Sequence, residues 1–433
     1  MGKGGNSFAC RVCKGARPHL SERKCFPPDR RGRVFFIFRV NKYREEVFRV
    51  ITSYNIFVPA LMGRGSSKRI GVALRARGYK KAFVIYDKGM WDFGIAPPIV
   101  ENLKMAGIET ICFDGVLPDP PDEMIEGAAD IARTSGCDVI VGIGGGSSMD
   151  TAKGVNVLIN NEPPIRRWFG VQKSLKPGLP MVFVPTTAGT GSEVTNMTVI
   201  SCVSENRKDS VVSPVCVGTL AILDPDLTVG LPPKATAMTG VDAFAHAVES
   251  MTGGQANPLS DALAKDAIRT IYKWLPIAVA DGKNMIAREK MLEASMFAGM
   301  AFTNGLVHLG HSIGHTLGAK FHIPHGIACA ACLPEVIEWS ARTESHKVRS
   351  ICECMGAEVP ENASNEEVGA IARKTIREFF KKIDIPNIQG LGLQLEDVMK
   401  IAPLVTTDAG LALCPFRITG GRIAKMFQDA YSA

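Results

Sequence analysis

"DVIVGIGGGSSMDTAKGVNVLI", residues 138–159, decides the fold. Val139, Ile140, Val141 and Ile143 make an apolar, β-branched run of strand length. Gly142, Gly144, Gly145 and Gly146 then open the backbone, and Ser147 onward returns to a helical pattern. A strand, a glycine loop and a helix in that order bring backbone N–H groups and a helix N-terminus to one point. That is an anion site suited to a pyrophosphate. A tight turn alone needs one or two glycines, and three in a row followed by Ser-Ser exceed that need. The spacing is neither GxGxxG nor a Walker A loop.

Working outward, the same alternation recurs. "KKAFVIYDKGM" (80–90) reads as a strand ending at Asp87, "ETICFDGVLPDPP" (109–121) as a strand and turn, and "MIEGAADIARTSGCD" (124–138) as a helix. Repeated βα units predict a mostly parallel sheet covered on both faces. After "LDPDLTVGLPP" (223–233) strand signals nearly vanish and helices follow to the end. The expected fold is therefore an α/β, Rossmann-like nucleotide-binding domain over 51–232, followed by an all-helical domain over 233–433 that carries a metal. Asp87, ending the strand two units before the glycine loop, is placed to accept hydrogen bonds from a ribose and to repel a 2′-phosphate, which favours NAD(H). "PTTAGTGSEVT" (185–195) packs hydroxyls and glycines into a second loop facing the same cleft, and Lys208 adds positive charge.

The helical half holds an unusual concentration of imidazole. Of eight histidines in the chain, five lie in "HLGHSIGHTLGAKFHIPHG" (308–326): His308, His311, His315, His322 and His325. A core does not need them, and a solvated face is more cheaply made with Lys or Glu. In "TGVDAFAHAVES" (239–250), Asp242 and His246 stand four apart, one above the other on a helix face, and His311 and His315 repeat the spacing. His325 follows where Pro324 and Gly326 predict a turn or helix end. One carboxylate with several imidazoles is a mixed N/O site suited to Fe²⁺, Zn²⁺ or a similar divalent ion. The pairs Cys10–Cys13 and Cys329–Cys332 lack a well-spaced second pair, and "GIACAACLPEVIEW" (326–339) reads as one buried helix, so a structural role is expected for the second pair.

The segments "GGGSSMDTAKG", "PTTAGTGSEVT", "LDPDLTVGLPP", "TGVDAFAHAVES" and "HSIGHTLGAKFHIPHG" together resemble the iron-containing (group III) alcohol dehydrogenases, in order, across roughly residues 53–433. The resemblance implies that Asp242, His246, His311 and His325 are the metal ligands and that His315 lies close to the nicotinamide, placed to relay a proton. It also implies that Asp87, Gly145, Gly146, Ser147, Thr186, Thr187 and Lys208 contact the cofactor, and Gly144 of the same glycine loop is a candidate with them. The implied reaction is hydride transfer between an alcohol and its aldehyde or ketone, with NAD(H) and Fe²⁺, Zn²⁺ or another divalent ion. Related glycerol dehydrogenases and dehydroquinate synthases share the layout; the form of the histidine segment and "PTTAGTGSE" favour the alcohol dehydrogenase branch. Three positions depart from the family. His308 replaces a usually apolar residue, Cys414 in "LCPFRIT" (413–419) stands where Asn is common, and Phe416 intervenes before Arg417.

Residues 1–50 have no counterpart in that family. They carry 13 Lys+Arg against 4 Asp+Glu, so the chain's net +7 leaves −2 for residues 51–433. A nucleic-acid partner could be argued from this basic stretch alone, and none is expected. Nor is a membrane partner, because no apolar run reaches the roughly 20 residues of a span. Twelve scattered cysteines fit reduced thiols in a cytoplasmic enzyme, expected to be a homodimer or larger homo-oligomer. The first fifty residues show neither period nor apolar face and are expected to be a disordered extension outside the fold. A chain trimmed to begin near Thr52 should therefore unfold at the same denaturant midpoint as the full chain; a lowered midpoint would make the extension part of the fold.

Overall fold

The computed structural model describes residues 54–433, apart from 56, 57, 173 and 206; the expectation for residues 1–50 lies outside the described residues. Among the described residues nine strands form: β1 (Ala60–Met62), β2 (Lys81–Ile85), β3 (Glu109–Phe113), β4 (Val139–Gly144), β5 (Gly170–Val171), β6 (Met181–Pro185), β7 (Met197–Cys202), β8 (Arg207–Val212) and β9 (Leu220–Leu223). Six of them make one parallel sheet in the order β1-β9-β6-β4-β2-β3. Its helices are α1 (Ile70–Arg75), α2 (Lys88–Asp92), α3 (Ala96–Met105), α4 (Asp122–Ser135) and α5 (Gly146–Ile159). Phe83 and Ile85 of β2 pack under α4 and α5, whereas Ala82 and Val84 pack under α1 and α3. Alternate side chains of one strand thus enter two separate cores, as a sheet buried on both faces requires.

β2 pairs with β3 on one side and with β4 on the other, so the chain reverses its direction of travel across the sheet between β2 and β4. In open parallel sheets that reversal leaves a crevice at the carboxyl ends of the two strands. Asp87 and Gly144 sit at those ends. One expectation is refined here: β7 does not join the parallel sheet but pairs antiparallel with β8 in a small second sheet, β5-β8-β7.

The helical half begins at α6 (Pro233–Thr252), where Pro232 and Pro233 stop the preceding segment and Pro233 takes the first helical turn. It continues through α7 (Pro258–Ala280), α8 (Met285–Gly305), α9 (Leu309–Phe321), α10 (His325–Ala330), α11 (Leu333–Cys354), α12 (Asn365–Lys382), α13 (Leu395–Val405) and α14 (Gly420–Ala430). Asn257 and Ser364 open α7 and α12 with reciprocal capping boxes. One local expectation holds and one is corrected. His325 stands at a helix end, as the first residue of α10, because Pro324 cannot continue α9 but precedes a new helix well. The stretch 326–339 is two helices, broken at Ala331–Cys332 ahead of Pro334 in the first turn of α11.

One buried hydrogen-bond network, in which Lys153 and Asp150 share Ser192, ties the glycine-loop helix to the rest. Lys153 of α5 is fully buried, and its Nζ donates to Ser192 Oγ (2.8 Å), Thr195 Oγ1 (2.9 Å) and Met197 O (2.8 Å). Asp150, one turn earlier, accepts from Ser192 Oγ (2.8 Å) and Val199 N (3.2 Å). Lys153→Ala removes the donor to all three oxygens and should therefore cost about 1–3 kcal/mol of stability, read from urea unfolding monitored by circular dichroism; a loss below about 0.5 kcal/mol would show the network is dispensable.

Candidate metal and cofactor site

At the phosphate loop, Gly144 ends β4 with φ 141°, a backbone region open to glycine, and a Cβ there would lie 2.4 Å from Ser148 Oγ. Gly145 precedes the helix with no side chain capping it, so the first N–H groups of α5, those of Gly146, Ser147 and Ser148, have no intrahelical acceptor. Asp87 caps α2 by accepting from Met90 N (3.3 Å), and its Oδ2 lies 3.6 Å from where a Gly144 Cβ would stand. The carboxylate that caps α2 thus also lies against the glycine loop.

The loop 185–195 closes over these groups. Thr186 N donates to Gly144 O (3.0 Å), Thr187 lies against Gly145, and Thr190 lies against Gly146. Its other side meets the helical half: Gly189 abuts Thr239 of α6, and Gly191 (φ 60°) abuts Gly299 of α8 so closely that a Cβ on either would fall within 3 Å of the opposite backbone. Lys208 of β8 is paired with Asp119 Oδ1 at 2.6 Å.

The histidine cluster is assembled from three helices. Asp242, His246 and Glu249 follow one another along the inward face of α6, His311 and His315 lie on α9, and His325 opens α10. Asp242 Oδ1 lies 3.7 Å from His325 Nε2 and 4.0 Å from His311 Nε2. Asp242 Oδ1, His311 Nε2 and His246 Nδ1 are all buried without a hydrogen-bond partner. Buried polar atoms are rarely left so. Two donors at ~2.0–2.2 Å from one ion at tetrahedral angles stand ~3.3–3.6 Å apart, so the observed spacings need only small side-chain rotations to take a divalent ion. The residues fit a metal.

Not every group nearby has the right aim. Cys329 Sγ joins Asp242, His311 and His325 within 4.8 Å. It is nearly equidistant from His325 Nε2 (3.7 Å) and Nδ1 (3.8 Å), against the imidazole rather than in line with one nitrogen, and so walls the site. His246, an expected ligand, lies outside that group of ligand atoms and stacks between Phe302 (centroids 5.0 Å) and His311 (4.7 Å). His315 stacks on His325 at 5.7 Å. His322, in the left-handed region at φ 55°, caps α9 and shapes the turn into α10, as its position in the sequence suggests. His308 is fully buried, with Nε2 2.9 Å from Thr252 Oγ1, and lies outside the cluster of ligand atoms.

Burial favours the neutral form of His311 and His325. Burial drives His311 well below its ordinary value, and the neighbouring His246 and His315 add to the effect. Burial likewise lowers His325 to about 3, against the opposing pull of Asp242. A neutral imidazole is the form that binds a metal.

Two residues that sequence reasoning missed hold the cluster in place. Glu249 is fully buried and accepts from the backbone N–H of His308 (3.1 Å), Gly310 (2.7 Å) and His311 (3.1 Å), and from His311 Nδ1. It caps α9 from another helix and turns His311 Nε2 toward Asp242. Burial pushes its carboxyl up from the ordinary value, opposed by His308 and by the backbone donors. With four donors on two oxygens it has no acceptor to give a proton to, so it acts as the acceptor. The signal available was its place on the Asp242–His246 face, seven and three residues on. Asp408 accepts from His315 Nδ1 at 2.9 Å, and nothing local in the sequence marks it.

Comparison with known proteins now bears on this geometry. Residues 59–225 match the family model for iron-containing alcohol dehydrogenase, and residues 236–431 match that for the C-terminal part of the Fe-containing alcohol dehydrogenase family. The chain belongs to the iron-containing alcohol dehydrogenase family. It is 34% identical to the NAD-dependent methanol dehydrogenase of Bacillus methanolicus, over 87% of this chain and 99% of that protein. The crystal structure of a 1,3-propanediol oxidoreductase superposes with a TM-score of 0.84 at 34% identity, covering 88% of this chain and all of the other. The sulfoacetaldehyde reductase of Bifidobacterium kashiwanohense, solved with NAD+, gives 0.79 at 29% identity, covering 88% and 99%. Like its family, this dehydrogenase interconverts alcohols and their carbonyl counterparts.

Carboxylates that orient a metal-binding imidazole typically account for 10–100-fold in metal affinity. Glu249→Gln in this dehydrogenase should weaken Zn²⁺ binding by that factor in a chelator competition, whereas His308→Ala should leave it within about threefold. Equal affinities for Glu249→Gln and the unmodified chain would remove Glu249 from the site.

Proposed function

We propose that this dehydrogenase moves a hydride between a small alcohol and NAD+, or from NADH to the matching aldehyde or ketone, with Asp242, His246, His311 and His325 holding the metal. The observation that carries this reading is the pair of buried, unpartnered atoms Asp242 Oδ1 and His311 Nε2, 4.0 Å apart with His325 beside them. When bound, a divalent ion supplies Lewis acidity to the substrate oxygen, and NAD supplies the hydride acceptor. The protein does the rest. The uncapped N-terminus of α5, with Gly144, Gly145, Gly146 and Ser147, binds the pyrophosphate, and Thr186 and Thr187 close over it. Asp87 accepts from the ribose hydroxyls and disfavours a 2′-phosphate. Lys208, paired with Asp119, adds positive charge toward the cleft. His315 takes the alcohol proton at Nε2, and its side chain, 31% exposed, passes it to water. The substrates named for the relatives, methanol, 1,3-propanediol and sulfoacetaldehyde, are all small and differ in polarity, so the reaction class is better supported than any one alcohol.

The proposal extends to a cytoplasmic homo-oligomer without nucleic-acid partners. The cysteines among the described residues are all free, and no helix among them is long and apolar enough to cross a membrane.

His246→Ala and His325→Ala should each lose bound metal and turnover while still binding NADH in a fluorescence titration. His315→Ala should keep its metal and lose about 10²-fold in kcat. Metal content that persists in His325→Ala would refute the ligand set. Separately, the unmodified enzyme should prefer NADH to NADPH in kcat/KM, and Asp87→Gly should narrow the ratio; equal kcat/KM for both cofactors in the unmodified enzyme would end the ribose role for Asp87.

A further inference from the structure

The segment "TTDAGLALCP" (406–415) lies between α13 and α14, almost a hundred residues from the histidine helix, yet it packs on that helix and grips it with one carboxylate. Asp408 Oδ1 accepts from Gly410 N (2.8 Å), capping the following turn, and from Ser312 Oγ (2.8 Å). Its Oδ2 accepts from His315 Nδ1 (2.9 Å). Ser312 and His315 are three apart on α9 and so share a face. The carboxylate therefore grips that face at two successive points. Burial alone would push the Asp408 carboxyl up, but the hydrogen bonds from His315, Gly410 and Ser312 outweigh it and hold it at about 2. On its other side the His315 ring lies nearly parallel to His325, with an interplanar angle of 15°, so its rotation is restricted from both directions.

A carboxylate only accepts, and a neutral imidazole carries one N–H. We propose that Asp408 is a positioning residue that holds His315 as the Nδ1–H tautomer, with Nε2 as the free lone pair facing the substrate site. This rests on the reading of His315 as the proton acceptor. In that step the alcohol O–H breaks as Nε2–H forms, the carbinol hydride leaves with its electron pair for oxidised NAD, and the carbonyl double bond closes. The resulting imidazolium faces the Asp408 carboxylate. A misplaced tautomer would present N–H where a lone pair is needed.

Asp408→Asn is the informative variant, because the amide oxygen can still accept from Gly410 and Ser312 while the amide nitrogen donates to Nδ1 and forces the ring proton to Nε2. The test uses zinc-loaded protein with ¹⁵N-labelled histidine, and the His315 signal is assigned by its loss in His315→Gln. The expected spectrum shows Nδ1–H in the unmodified chain and a shift toward Nε2–H in Asp408→Asn. An Nε2–H signal in the unmodified chain, or an unchanged tautomer in the variant, would overturn the proposal, and neither measurement requires turnover. In kinetics, Asp408→Asn should lower kcat by about 10²-fold or more at unchanged metal content, with KM moved less than about threefold. In a His315→Gln background the same change should cost nothing further. Additive losses, or loss of metal with Asp408→Asn, would mean that Asp408 acts through something other than His315. A chain that turns over no alcohol but shows the expected tautomers would sink the proton-acceptor reading and leave the positioning role standing.

Discussion

Everything in the metal site is referred to one buried carboxylate. Glu249 leaves water entirely, a cost that only a full set of hydrogen bonds can offset. It finds that set at the start of α9, where the orphaned N–H groups of a helix N-terminus are concentrated and the dipole favours negative charge. The same interaction settles the relation of α9 to α6 and the direction in which His311 points. His308, which departs from the family pattern, fits this picture: its Nδ1 sits 3.6 Å from Glu249, and its Nε2 is met by Thr252. The extra imidazole is part of the packing behind the ligands.

A second constraint joins the two halves of the site. The loop 185–195 has glycine where it presses on the helical half and threonine where it covers the glycine loop. Lys153 and Asp150 hold its far end from beneath. Cofactor and metal groups are thus set against a common piece of backbone rather than on two bodies free to drift. Orientation at the level of an ångström is what hydride transfer demands.

The sequence carried a great deal of this, and unevenly. Features set by short-range spacing were readable: the strand–glycine–helix unit at 138–159, Asp242 with His246 four apart, and the all-helical second half. Features set by distant partners were not. Glu249 looks like any acid on a helix until α9 is seen to end on it, about sixty residues away. Asp408 gives no local sign at all, since its partner His315 is 93 residues back. The break at Ala331–Cys332 was hidden by an apolar run whose hydropathy does not change across it. Cys329 was readable as buried, but its contact with the His325 ring depends on how α10 turns after Pro324.

The unpartnered atoms at the centre have a consequence beyond chemistry. Asp242 Oδ1, His246 Nδ1 and His311 Nε2 are buried without a partner, and each such atom left unsatisfied costs about 1–3 kcal/mol. A typical chain folds by a margin of only about 5–15 kcal/mol. An ion held by the proposed ligands would therefore also stabilise the fold, since a ligand that binds only the native state stabilises it by mass action. Newly made chains that miss their metal spend more time unfolded and are exposed to proteolysis. In a metal-starved cell the enzyme's abundance would fall along with its activity, and the supply of one ion would govern both.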